Sequence, residues 1–285
     1  NVRVGEKIMK EYQFAYGDGT VTLPLEGCNI LGELHGNKVE PIKDIRTALW
    51  GSLDEPIGSE ALCKRVKAGN TVALIVSDMS RFWMRQDLVV PHLVDYLTQR
   101  CGVQEADISI VIANGTHEGG DEQELRTLVT DAVYDRVRVE NHDCEATDLV
   151  YLGTTPHGTP VSINRTAAQA DIVICLGAVT HHVMAGFGGG RKSILPGISS
   201  RETIFHNHAF SLDAAQLRSN PAIGNGVLKG NPLHEDMCEA AGLVKNLFII
   251  NLVMNAQMQL AAIFSGHYLS SWEQACRTVD KIYQV

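Results

Sequence analysis

Basic charge is in short supply in this chain. Twenty-four Lys and Arg stand against 33 Asp and Glu, for a formal charge of −9. A nucleic-acid partner needs clustered cations to neutralise phosphates, so the balance argues against one. A local anion site stays compatible with it, because backbone N–H groups and one or two cations suffice. Long apolar runs are lacking too. No stretch approaches the roughly 20 residues that cross a bilayer, and the first residues lack the pattern of a secretory signal. Neither a membrane span nor export is expected. The seven cysteines are an odd number, scattered singly and without a C-x-x-C pair. That argues against a disulfide framework or a zinc site and suits the reduced thiols of a cytoplasmic protein. No repeat or low-complexity segment is present.

What is present is an ordinary globular composition, 45% hydrophobic and 20% charged, in 285 residues. That length suits one large α/β domain or two small ones. A Gly-Asp-Gly turn within residues 1–30 reads as short antiparallel strands. Helices are expected at Pro41–Trp50, Ser59–Lys67, Asp87–Arg100, Asp121–Tyr134 and Leu269–Tyr283. The continuous apolar, β-branched run Thr71–Ser77 marks a strand buried on both faces, and Ile108–Ala113, Asp171–Val179 and Leu247–Met254 read as further buried strands. Shorter strands are expected at Val137–Glu140 and Pro160–Ile163. The alternation predicts a doubly wound, mainly parallel, Rossmann-like sheet. Ligands of such sheets sit beyond the carboxyl ends of the strands. Asp78 and Arg81 follow the first long strand, Asn114 to His117 the second, and His181 and His182 the third. Three distant segments therefore deliver carboxylate, guanidinium and imidazole to one edge.

Residues 171–210 carry the densest chemistry: a buried strand, two histidines, a glycine-dense loop ending at Lys192, and a segment with His206 and His208. Glycines after an apolar strand let backbone N–H groups close on a phosphate. It is not a Walker A loop, because Arg191 separates Gly190 from Lys192. Nor does a G-x-G-x-x-G open a helix after the first strand, which ranks an NAD-dependent dehydrogenase low. Lys192 reads as a nucleophilic amine or as a phosphate-pairing cation. Asp78 reads as a site residue or as a helix cap. Ser199 and Glu202 read as a capping box for the helix that follows. His206 and His208 are two apart, so only one of them faces the loop.

The stretch GAVTHHVMAGFGGGRKSILPGISSRETIFHNH, with VSDMSR and ANGTHEGG upstream, closely resembles the nickel-dependent lactate racemase family, the nickel-pincer enzymes. Lys192 follows His182 by ten residues and precedes His208 by sixteen, the family's spacings. The resemblance implies a 2-hydroxyacid racemase or epimerase, with lactate the default substrate. Its implied cofactor is a nickel-pincer nucleotide, pyridinium-3,5-bisthiocarboxylic acid mononucleotide, covalently attached at Lys192. His117 and His182 are the implied acid/base pair, and His208 the implied nickel ligand. The implied cofactor contacts are Asp78, Met79, Ser80 and Arg81, then Gly188, Gly189, Gly190, Arg191 and Lys192. Arg191 is read as the cation of the cofactor phosphate; Met79 and Ser80 replace the family's usual Ala-Thr. His181 and His206 are read as bystanders, and the segment 142–165 as structural support.

Implied partners are a small 2-hydroxyacid and the enzymes that build the cofactor, with a homo-oligomer left open. Family members are longer, and the second α/β domain that supplies a further lysine has no counterpart in this sequence. Residues 1–265 are accordingly read as the cofactor-binding catalytic domain, and 266–285 as a helix leading toward that second domain. The alternative function is a non-catalytic nucleotide-binding domain or cofactor carrier.

Overall fold

A computed structural model describes residues 11–283 apart from 18, 26 and 28. The chain forms two compact units, one reaching to His35 and one spanning Gly36–Gln284. Within the first, Glu11–Tyr16 and Gly19–Pro24 pair antiparallel, as expected. The second contains the sheet and the expected site.

Six strands form that sheet: β1 (Val72–Ser77), β2 (Ile108–Ala113), β3 (Arg138–Asn141), β4 (Ile172–Ala178), β5 (Leu247–Met254) and β6 (Leu260–Gly266). Their spatial order is β6-β5-β4-β1-β2-β3, all parallel except β6, which pairs antiparallel with β5 at the edge. The winding direction reverses between β1 and β4. Such a switch point opens a crevice at the carboxyl ends of the two strands.

The sheet is buried on both faces because successive side chains alternate between two cores. Leu74, Val76, Ile110, Ile112, Ile174, Leu176, Ile250 and Leu252 enter one cluster. It is closed by Leu49 and Leu53 of α1 (Ile45–Asp54), Leu93 and Leu97 of α2 (Val90–Gln99), and Leu125 and Leu128 of α3 (Glu122–Val129). Ala73, Ile75, Val111, Val173, Cys175 and Ile249 enter the other. There they meet Ile204 of α4 (Arg201–Ala209), Met237 and Ala240 of α5 (Pro232–Gly242), and the hairpin Val150–Thr154/Pro160–Ile163. A last helix, α6 (Ser270–Tyr283), buries Trp272, Ala275, Val279 and Ile282 in a third cluster with Val179, Phe187 and Val253.

Several boundaries differ from the sequence expectation, each for a local reason. The first helix starts at Ile45, because Asp44 accepts the Thr47 N–H as its cap. The Ser59–Lys67 helix contracts to Leu62–Arg65. The Asp87–Arg100 helix begins only at Val90, after two short 3-10 turns, with Pro91 in its first turn. The Asp121–Tyr134 helix breaks at Thr130, whose φ of +76 no helix accommodates. Strand β6 and helix α5 were not anticipated.

Candidate active site

A cavity of about 350 Å³ opens at the switch point, between the carboxyl ends of β1, β2 and β4 and the side of α4. Asp78 and Arg81 reach it from β1, His117 from β2, and His182, Gly188, Gly189 and Lys192 from the segment after β4. His208 reaches it from α4. Met79, Ser80, Gly190 and Arg191 do not line it.

On the β1–β2 side, Asp78 is the last extended residue before the turn Met79–Met84, and its side chain makes no cap bond. Instead it binds Nδ1 of His117 at 2.5 Å and accepts the Ser80 hydroxyl at 2.6 Å. Arg81 donates in turn to the Ser80 oxygen at 2.8 Å. Ser80 thus braces the carboxylate and the guanidinium from behind. A carboxylate only accepts, so the neutral His117 ring carries its proton on Nδ1 and leaves Nε2 bare. The His117 side chain is 54% exposed and that of Asp78 12%, so the imidazole is open while its carboxylate partner is covered.

On the β4 side the environment is the reverse. His181 and His182 pair antiparallel with Phe187 and Gly186 in a two-residue hairpin. His182 Nδ1 accepts the N–H groups of Met184 (3.2 Å) and Ala185 (3.1 Å), and its Nε2 lies 3.4 Å from the Lys192 amine. Burial first, and then the charges of Lys192, Arg191, Arg81 and His208, push the His182 pKa down to about 4. Burial also pulls the Lys192 amine down to about 7, with Arg191 and Arg81 adding to the effect. A substantial fraction of that amine is therefore neutral and nucleophilic near pH 7. His181 turns away, pairing with Asp280 at 2.9 Å and packing on Phe187.

The glycines are required by what surrounds them. Gly189 has a φ of +66, and a Cβ there would lie 2.7 Å from Val179 and 2.9 Å from the Ala178 carbonyl. Gly190 has a φ of +55, and its Cβ would lie 2.6 Å from Trp272. Arg191 does not take the place expected for a phosphate cation. Its guanidinium is fully buried, lies 3.9 Å over the Trp272 ring, and donates to the carbonyls of Ala185 and Phe187. The glycine turn points its side chain into the interior, where loop carbonyls and the His234 ring take its hydrogen bonds.

Helix α4 is capped by Ser200, which accepts the Thr203 N–H at 3.2 Å, rather than by Ser199. The Ser199 hydroxyl is taken by the Ile194 carbonyl, and Glu202 is exposed. The helix so started turns His208 to the cavity and leaves His206 exposed. His208 Nδ1 donates to the Ile204 carbonyl at 3.0 Å, which leaves Nε2 bare for a metal ion. Burial holds its pKa below the ordinary histidine value, with the Lys192 charge adding to that. Another set of ligand-type side chains, His157, Asp236 and Glu239, lines no part of the cavity. The Asp236 carboxylate there already accepts from Thr155, Thr159 and Asn207.

Sequence reasoning missed Trp272, His234 of α5 and Asn231, which caps α5. Trp272 donates to the Gly188 carbonyl at 2.8 Å, and His234 accepts from Arg191 Nε at 3.2 Å. The Asn231-Pro232 pair is an N-cap followed by a first-turn proline, a signal that marks the start of α5. Ser193 and Phe205, beside Lys192 and in α4, also line the cavity.

The profile of the lactate racemase N-terminal domain matches residues 16–219. The chain belongs to the lactate racemase family. Similar curated members include the lactate racemase of Thermoanaerobacterium thermosaccharolyticum, 32% identical over 235 residues. That match covers 82% of this chain and 53% of the relative. The lactate racemase of Lactiplantibacillus plantarum is 30% identical over 277 residues, covering 95% and 62%. The solved lactate racemase apoprotein of T. thermosaccharolyticum superposes with a TM-score of 0.83 at 29% identity, covering 96% of this chain and 63% of that one. A Thermotoga maritima structure with a TM-score of 0.64 and 24% identity shares the fold. The chain thus spans between about half and two thirds of the length of these lactate racemases. Among its described residues, no helix is long and apolar enough to cross a membrane.

Proposed function

We propose that this segment is the cofactor-binding and catalytic part of a racemase or epimerase of a small 2-hydroxyacid, with lactate the default substrate. We also propose that it holds a nickel-pincer nucleotide. The observation that supports this reading is the convergence of Lys192, His208, His117 and His182 on one cavity from separate elements. The chemistry of the side chains fits the group. Lys192 offers a buried amine held near pKa 7, with no carboxylate among the described residues offsetting its charge. That makes it the residue for covalent attachment. His208 offers a bare imidazole nitrogen, a donor suited to nickel. Arg81, at the exposed rim, is the cation for an anionic group of the nucleotide or the substrate. When bound, the cofactor supplies the acceptor for the substrate α-hydride.

The remaining chemistry belongs to the chain. The bare Nε2 of His117 takes the substrate hydroxyl proton and later returns it. Asp78, 2.5 Å from Nδ1, stabilises the imidazolium that forms. His182 faces the same space from the β4 side. Position 266 onward leads toward the further domain of the longer relatives, which on this reading supplies a cation for the substrate carboxylate.

Expression together with the cofactor-building enzymes, followed by intact mass measurement and chiral chromatography of lactate, tests the reading. A nickel-containing mass increment that vanishes in Lys192→Ala is the expected result. A cofactor carrier shows the increment in a full-length protein that racemises no 2-hydroxyacid. An unmodified wild-type chain that instead retains NAD sinks the proposal.

A further inference from the structure

We propose that Gln86 and Asn141 are positioning residues of this site, each using one carboxamide to clamp the backbone at the neck of a loop. Gln86 holds Ser77, next to Asp78, and Asn141 holds Gly120, three residues beyond His117. The kinetic meaning rests on the racemase reading, while the structural part stands without it.

The need for a clamp arises where the crevice opens. The β1–β4 ladder ends at Ile75 and Cys175, whereas the β1–β2 ladder continues to Ser77 and Ala113. The last two residues of β1 therefore reach the cavity without β4 beside them in the ladder. Backbone groups at such a strand end need other partners. Gln86 supplies them. Its Oε1 accepts the Ser77 N–H at 3.1 Å, and its Nε2 donates to the Ser77 carbonyl at 2.9 Å. The side chain is fully buried and makes no other hydrogen bond among the described residues. A buried amide is unfavourable unless its polar atoms are bonded, and here both serve the same residue.

The path to this contact is itself unusual. After Asp78 and the turn Met79–Met84, Arg85 takes a left-handed backbone with a φ of +52. That conformation crowds the Cβ of any residue but glycine. The Arg85 guanidinium is held by Asp87 through two bonds, of 3.0 and 2.9 Å. The reversal at Arg85 brings Gln86 back to Ser77 and closes a loop that contains Asp78, Ser80 and Arg81.

The loop after β2 is closed in the same way. Asn141 is the last residue of β3; its Oδ1 accepts the Gly120 N–H at 3.1 Å, and its Nδ2 donates to the Gly120 carbonyl at 2.8 Å. A Cβ on Gly119 would lie 3.0 Å from that amide, so the loop runs close against it. At the start of the same loop, Asn114 Oδ1 accepts the His142 N–H at 3.2 Å. His117 lies between these two ties. Neither Gln86 nor Asn141 lines the cavity, so both act through the backbone they hold. Only a carboxamide presents a donor and an acceptor side by side without charge. Glutamate at position 86 would set a carboxylate against the Ser77 carbonyl. With both loops closed, the Asp78 carboxylate meets His117 Nδ1 at 2.5 Å.

The first test uses the 15N-histidine-labelled full-length protein without cofactor, near neutral pH, with the His117 resonances assigned by Gln substitution. The expected wild-type spectrum shows the neutral His117 ring protonated on Nδ1. In Gln86→Met and in Asn141→Leu the His117 signals move toward a mixture of tautomers, while those of His182 stay in place. Asn141 lies on an edge strand and is only partly buried, so its variant decides even if Gln86→Met does not fold. A wild-type His117 protonated on Nε2 overturns the proposal. So do folded variants that keep the pure Nδ1–H form.

The second test uses turnover of the cofactor-loaded, full-length protein. Each variant should lose ~10–10²-fold in kcat, the scale of a misplaced catalytic group, with the cofactor mass increment unchanged. A residue that acts through the Asp78–His117 pair loses its effect once that pair is broken. In an Asp78→Asn background the further loss should therefore shrink to less than about threefold, whereas independent sites would multiply. Losses that multiply in full show that the clamps do not act through Asp78, and the assignment fails. If wild type racemises nothing, the racemase reading fails, and the spectra still decide the clamps.

Discussion

The two walls of the cavity place the same side chain in opposite settings. On the β1–β2 wall, His117 is half exposed and paired with a carboxylate. On the β4 wall, His182 is partly buried among cations and bonded by backbone N–H groups. The difference shows that a histidine's chemistry is written by its second nitrogen. A partner that accepts from Nδ1 leaves Nε2 of the neutral ring bare; partners that donate to Nδ1 leave the neutral ring's proton on Nε2. The glycine loop builds the second wall by burying Arg191 and Lys192 together, which makes that wall positive without a counter-ion among the described residues.

The largest effect should come from removing the amine of the cationic wall. Lys192→Ala is expected to abolish the cofactor mass increment and with it all turnover. Its neighbour cannot take over, because a guanidinium stays protonated and is no nucleophile. Next in size is the carboxylate of the other wall. Asp78→Asn keeps the shape of the dyad but removes the charge that stabilises a protonated His117. Turnover should fall ~10²–10⁴-fold, measured as kcat in the loaded enzyme. A loss appearing only in substrate KM would place Asp78 in binding rather than in proton transfer.

The cationic wall also predicts a pH dependence of stability. The Lys192 pKa falls from the ordinary 10.5 to about 7 in the fold. Between those values the unfolded chain holds a proton that the folded chain lacks, so stability rises with pH across that window. Below about pH 7 the full cost is present, on the order of 3–5 kcal/mol. Lys192→Met should therefore be stabilising at pH 7, and its denaturant midpoint should vary less between pH 7 and 10. Equal slopes in both proteins would show that the amine is not held neutral by burial.

Much of this arrangement was legible in the residues, and what was not had a physical reason. β1, β2, β4 and β5 announce themselves because both faces are covered, which leaves apolar runs such as Val72–Val76. The switch-point rule then brings Asp78, His117 and His182 to one edge without further information. β6 was missed because LAAIFSG is an edge strand with small residues and no clean alternation. Arg191 was misplaced because its setting is non-local. Beside glycines and Lys192 it reads as a phosphate cation, but Trp272 and His234 lie far along the chain, and only the folded α5 and α6 close over it. The choice of Ser200 over Ser199 as cap turns on which hydroxyl the Ile194 carbonyl claims, which no pattern of residue types contains.

The smallest predicted effect separates the inner from the outer support of the β4 wall. His181, next to His182, pairs on the outside with Asp280 at 2.9 Å, where the carboxylate is 50% exposed. Exposed pairs of this kind contribute little, because water and salt screen them and the side chains lose freedom in making them. The Phe187 ring against His181 remains when the charge is gone. Asp280→Asn should therefore cost less than about 1 kcal/mol in denaturant unfolding. It should leave the 15N pattern of His182 unchanged, whereas Arg191→Met, which removes the donor to the Ala185 carbonyl, should shift it. If Asp280→Asn shifts the His182 tautomer as far as Arg191→Met does, the hairpin is set from its exposed face. The buried guanidinium would then not be what distinguishes the two walls.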